Sequence, residues 1–181
     1  MSKICLGAST ALALVTTLFV PQVFSHITLE IREAPLESRY KAVLRVPHGC
    51  EGSATTALRV QIPEGVIDAK PQPKPGWKLA TIRGDYARSY TLYGSELTSG
   101  VKEIVWSGGT LPDEHYDEFV FVGYLSDALQ ADGTLHFPVV QQCEKGEEHG
   151  TGTGGHHHHS SGHGHGHQES PAPGLKLLPK R

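Results

Sequence analysis

An all-β fold, an antiparallel immunoglobulin-like or cupredoxin-like sandwich, is the class this sequence predicts. Three observations predict it. Runs of alternating apolar and polar residues recur about every ten residues, Gly and Pro punctuate them, and no segment sustains a 3.6-residue period. The composition, with 21 Gly and 12 Pro in 181 residues, suits many short strands.

The chain opens on an expected export signal, residues 1–25. Lys3 supplies its charge, Ala8 to Val20 is apolar and uncharged, and Pro21-Gln22-Val23-Phe24-Ser25 leads to a small residue before the expected cut. The run is too short for a membrane span of ~20 residues, so cleavage after Ser25 is expected, with His26 first in the mature chain. No second apolar run follows, and the mature chain is expected to carry no membrane span.

Strands are expected at 26–31, 40–46, 57–62, 77–83, 87–93, 101–106, 117–125 and 134–141, rich in β-branched or aromatic residues. Lys70-Pro71-Gln72-Pro73-Lys74-Pro75-Gly76-Trp77 cannot be an interior strand, since proline donates no ladder hydrogen bond. It reads as a stiff turn delivering Trp77 into a strand. Cys5 leaves with the signal, and the remaining pair, Cys50 and Cys143, is expected to form a disulfide in an oxidising compartment.

After Cys143 the composition changes. The domain is expected over 26–146, followed by a disordered His/Gly-rich tract, 147–170, and a terminal segment, 171–181, that docks loosely. The tract carries His149, His156, His157, His158, His159, His163, His165 and His167 with little apolar to bury. It predicts weak, unselective binding of several divalent ions while the imidazoles are neutral. The formal charge of −3 and the interleaving of both signs leave no basic stripe, and nucleic acid is not an expected partner.

The segments Tyr40–Cys50, Thr55–Val66, Pro73–Trp77, Gly100–Leu125 and Leu135–Gly146, with the Pro-Ala-Pro-Gly-Leu ending, resemble the YcnI-like domain family of bacterial periplasmic copper-binding proteins. The resemblance implies a sandwich with Cu(II) held by an N-terminal histidine and a carboxylate near a tryptophan. Those positions are His26, Glu33 in Arg32-Glu33-Ala34-Pro35, and Trp106 in Val105-Trp106-Ser107-Gly108-Gly109. The sequence departs from the family pattern twice: Arg32 replaces a proline, and the His/Gly tract replaces an expected tryptophan-bearing last strand.

The chemistry of His26 points the same way. An N-terminal histidine offers its α-amine and Nδ1 from one residue, and an α-amine with a reference pKa near 8 loses its proton to a metal readily. Two nitrogens and a carboxylate suit Cu(II), which tops the divalent affinity order. Met1 is the only methionine, so no thioether remains for Cu(I). His48, His115 or His136 could complete a two-histidine brace, as in a small copper oxygenase, but the 7% aromatic content is thin for a polymer-binding face. A metal-indifferent structural sandwich is the third reading. Asp113, Glu114, Asp117 and Glu118 read as a solvated acidic loop. With no nucleophile and base, phosphate loop or catalytic carboxylate pair legible, the expectation is a non-enzymatic periplasmic protein. It would handle or transfer copper, with other copper chaperones or a membrane copper transporter as partners.

Overall fold

The computed structural model describes residues 26–152 and 169–180; the expected signal at 1–25, the tract histidines His156 to His167 and Arg181 lie outside these. Among the described residues there are strands and no helix. The strands are β1 (Thr28–Leu29), β2 (Glu33–Pro35), β3 (Ser38–Val46), β4 (Thr55–Gln61), β5 (Val66–Pro71), β6 (Lys78–Leu92) and β7 (Ser95–Leu111). They continue with β8 (Asp117–Leu125), β9 (Thr134–His136), β10 (Val139–Cys143), β11 (Glu147–Gly152), β12 (Glu169–Pro171) and β13 (Gly174–Leu178).

A four-stranded sheet, β1-β3-β8-β5, faces a six-stranded one, β12-β11-β10-β4-β7-β6, and a small sheet, β2-β13-β9, adds to the sandwich. Tyr40, Ala42, Leu44 and Val46 alternate inward from β3, and Phe119 and Phe121 do so from β8. They meet Leu58 and Val60 of β4 and Ile104 and Trp106 of β7 in one buried cluster. Edge-on ring contacts cross it: Trp106 to Phe119 at 5.5 Å and Phe121 to Phe137 at 5.6 Å. The sheets are mainly antiparallel, with two parallel pairs, β11 with β12 and β13 with β2.

Several sequence expectations change. The strands expected at 77–83 and 87–93 are one long strand, β6, whose register shifts between Asp85 and Tyr90. It turns straight into β7 because Tyr93 (φ 51°) and Gly94 (φ 80°) both adopt the left-handed conformation of a two-residue hairpin turn. The 134–141 run is split at Phe137-Pro138. Strand β5 was unforeseen; it lies at a sheet edge, where Pro71 withholds no needed donor. Trp77 leaves the proline-rich turn half-buried and edge-on to Phe119 at 4.9 Å. Gly109 permits this, since a Cβ there would lie 2.3 Å from the indole.

The disorder expected from 147 does not hold over 147–152. Those residues form β11, which continues the six-stranded sheet by pairing with β10. The terminal segment is not loosely docked either: Leu175 and Leu177 of β13 are buried, and the strand pairs with both β2 and β9. The expected disulfide is present, joining Cys50 to Cys143 with Cα atoms 6.0 Å apart.

Candidate metal centre

His26 lies beside a narrow cleft at the end of the six-stranded sheet. Its cavity is about 10 Å³, room for one water-sized guest. Ile27, buried in the core just after it, fixes where the histidine emerges. Opposite are Val139 and Gln141 of β10, Glu148 and Gly150 of β11, and Ser170 and Pro171 of β12. Strand alternation sorts β11: Glu148 and Gly150 line the cleft, while His149 sits with Glu147, its Nε2 2.8 Å from the Glu147 carboxylate.

Gln141 is 2% exposed, and its Nε2 donates to the His48 carbonyl at 2.8 Å and to Thr55 Oγ1 at 2.7 Å. Thr55 Oγ1 in turn lies 3.8 Å from Cys143 Sγ, so the wall of the cleft is braced from the disulfide side.

The other expected site residues fall elsewhere. Glu33 is exposed on β2, in register with Lys176 of β13, and is not among the residues lining the cleft. Trp106 is also outside that lining. It is 0% exposed, its indole N–H donates to the Gln72 carbonyl at 3.0 Å, and β4 separates it from β10. The structure therefore places Trp106 as a core residue.

None of His48, His115 and His136 lines the cleft with His26. His48 Nδ1 sits 2.6 Å from the Gly49 carbonyl and 4.0 Å from Asp113. His115 is on an exposed turn, and His136 is half-buried in β9. The acidic loop is spent on separate partners: Asp117 accepts from Lys74 at 2.6 Å, and Glu118 accepts from the Tyr116 hydroxyl. No group of three or more His, Cys, Asp or Glu side chains poised for a metal occurs among the described residues. What the cleft gathers is one histidine, one carboxylate, one amide and one hydroxyl.

Glu148 and Gln141 were missed from sequence. Alternation along Glu147–Gly152 was the available signal, but Gly and His beside the tract hid it.

A family model described as "Domain of unknown function (DUF1775)" matches residues 26–177. The chain belongs to the DUF1775 family. This is the YcnI-like domain family to which the sequence was likened, and the DUF1775 match begins at His26 and includes β11, β12 and most of β13. The crystal structure of an uncharacterized protein from Nocardia farcinica, reported to reveal an immunoglobulin-like fold, is similar to this DUF1775 chain. The TM-score is 0.57 at 24% identity, over 84% of this chain and 98% of the other. That likeness establishes the fold. No curated protein matches the sequence.

Among the described residues, no helix is long and apolar enough to cross a membrane. The Cys50–Cys143 disulfide is compatible with export.

Proposed function

We propose that the protein is exported, is cut after Ser25, and binds Cu(II) through the α-amine and Nδ1 of His26 to hold or hand on copper in the periplasm. The observation that carries this reading is the placement of His26, beside a one-atom-sized cleft that also holds a carboxylate. Nitrogen from one side and anionic oxygen from the other is a donor set that Cu(II) accepts in its tetragonal geometry. The start of the family match at residue 26 supports the cut that frees the amine.

Glu33, the carboxylate implied by the family resemblance, would have to reach His26 from β2. Trp106 would act through the core behind the sheet. The tract histidines would collect ions weakly and release them as the pH falls through about 6.5, serving as a reservoir beside the specific site. Acceptors and donors would be other periplasmic copper chaperones or a membrane copper transporter.

The test is a Cu(II) titration of protein beginning at His26 against protein with one extra residue before it. Both carry serine at His156, His157, His158, His159, His163, His165 and His167, with β11 and β12 left intact. The extra residue turns the amine into an amide, and the expected result is loss of the tight site with the fold unchanged. Equal affinity for one Cu(II) in both forms would show that His26 is not the anchor. Mass spectrometry of the exported protein checks the cut itself, with His26 expected as the first residue.

A further inference from the structure

We infer that Glu148 and Gln141 form the oxygen wall of the copper site, Glu148 as the anionic ligand and the Gln141 side-chain carbonyl as a weaker neutral one. The inference rests on the proposal that Cu(II) binds at His26 and specifies what faces the histidine.

Glu148 and Gln141 are direct partners in the antiparallel pairing of β10 and β11. Directly opposed residues project from the same face with their Cβ atoms ~5 Å apart, and both side chains border the cleft beside His26. The amide orientation is fixed by its neighbours. The His48 carbonyl can only accept, so the nitrogen of Gln141 must face it, and the second N–H goes to Thr55. That leaves Oε1, which accepts no hydrogen bond from a described residue, as the free acceptor of a side chain that borders the cleft. Its lone pairs are open to a guest in the cleft.

Charge favours the same assignment. A doubly positive ion held by a neutral amine and a neutral imidazole needs an anionic ligand close by. Glu148 is the acidic residue in the cleft lining, whereas Glu33 is exposed in register with Lys176. Ser170 supplies a further hydroxyl at the same border.

The experiment uses the full mature chain with the seven serine substitutions above and Cu(II) as the probe, read by chelator competition and electron spin resonance. Glu148→Gln, a half-exposed change of nearly constant volume, is expected to weaken Cu(II) binding by about tenfold or more, on the scale typical of lost metal-site carboxylates. Glu148→Asp should recover part of the loss. Gln141→Asn, which withdraws the oxygen by one carbon, should change the resonance spectrum while keeping one Cu(II) per chain. Thermal melts identify any variant that fails to fold, and Glu148→Gln alone then decides the carboxylate.

Unchanged affinity in Glu148→Gln would overturn the assignment of Glu148, and an unchanged spectrum in folded Gln141→Asn would overturn that of Gln141. In either case His26 remains the anchor if the extra N-terminal residue still abolishes tight binding. If that residue has no effect, the underlying copper reading is what has failed.

Discussion

Among the described residues there are two hydrophobic clusters, and they are held by different forces. The large one lies between the facing sheets, is built from fully buried Trp, Phe, Leu and Val side chains, and continues through Ile27 and Val139 to the His26 cleft. The small one gathers Ile67, Tyr86, Tyr90 and Leu92 with Leu97 and Tyr124, where the far half of the β6–β7 hairpin meets β5 and β8. Val66 points into the first cluster and Ile67 into the second, one residue along the same strand.

The small cluster is rimmed by charge. Glu64 accepts from Tyr90 at 2.7 Å, from the Ala87 N–H at 3.1 Å and from Lys102 at 2.7 Å. Arg39 pairs with Asp68 at 2.6 Å, and its guanidinium lies near the rings of Tyr93 and Tyr124. The His26 cleft thus adjoins the large packed cluster, while the hairpin rests on a few rings and a polar seam. Loosening one should leave the other in place.

The largest effect should come from the large cluster. Phe119→Ala removes the ring that meets both Trp77 and Trp106, and a destabilisation of about 3–5 kcal/mol is expected in chemical denaturation. Copper affinity should fall near the new unfolding midpoint.

An intermediate effect is expected at Gly100, where a Cβ would lie 1.7 Å from the Tyr86 hydroxyl. Gly100→Ala must displace Tyr86, at a cost of about 1–3 kcal/mol. Hydrogen exchange should quicken across 85–99 and stay slow in β4, with Cu(II) affinity unchanged. Weakened copper binding in this variant would show that the clusters are coupled.

Acid should have the smallest effect. Burial alone would raise the pKa of Glu64, but hydrogen bonds from Lys102, Tyr90 and Ala87 hold it below its ordinary 4.5. Asp68 is likewise held below 3.8 by Arg39 and Lys70 despite burial. Both carboxylates bind fewer protons folded than unfolded. Their contribution is therefore complete above those values and is lost as pH falls through the lower folded ones. Solvent screening limits it to under about 1 kcal/mol for each group. Hairpin amides should lose protection, measured against their intrinsic exchange rates at each pH, below about pH 4. The Tyr90 hydroxyl, pushed up to about 12 by burial and by its bond to Glu64, should stay protonated throughout.

The fold was legible where alternation was clean. Tyr40–Val46 and Ala57–Ile62 show their inner faces in sequence, and an even count of cysteines beyond the expected signal pointed to the Cys50–Cys143 bridge. Strand β5 was obscured because Asp68, with a left-handed φ of 49°, interrupts its period. Strand β11 was obscured because sequence patterns register what a strand buries, and Gly150 contributes no side chain. At the candidate site, His26 was singled out by chain chemistry alone. Glu148 and Gln141 were not, since they meet it only through the register of β10 and β11, and Trp106 could not be told from a core residue until its indole partner was seen.

The parallel pairing of β11 with β12 sets a rule for how the histidine tract can evolve. Two parallel neighbours cannot be joined by a tight turn and need a connection of about a dozen residues. Here residues 153–168 join Gly152 to Glu169. Upward the constraint is slight, because each doubling of a flexible loop costs only ~0.6 kcal/mol. The domain therefore imposes a minimum length on this insert and almost no maximum, leaving its number of histidines free to vary without redesign of the sandwich.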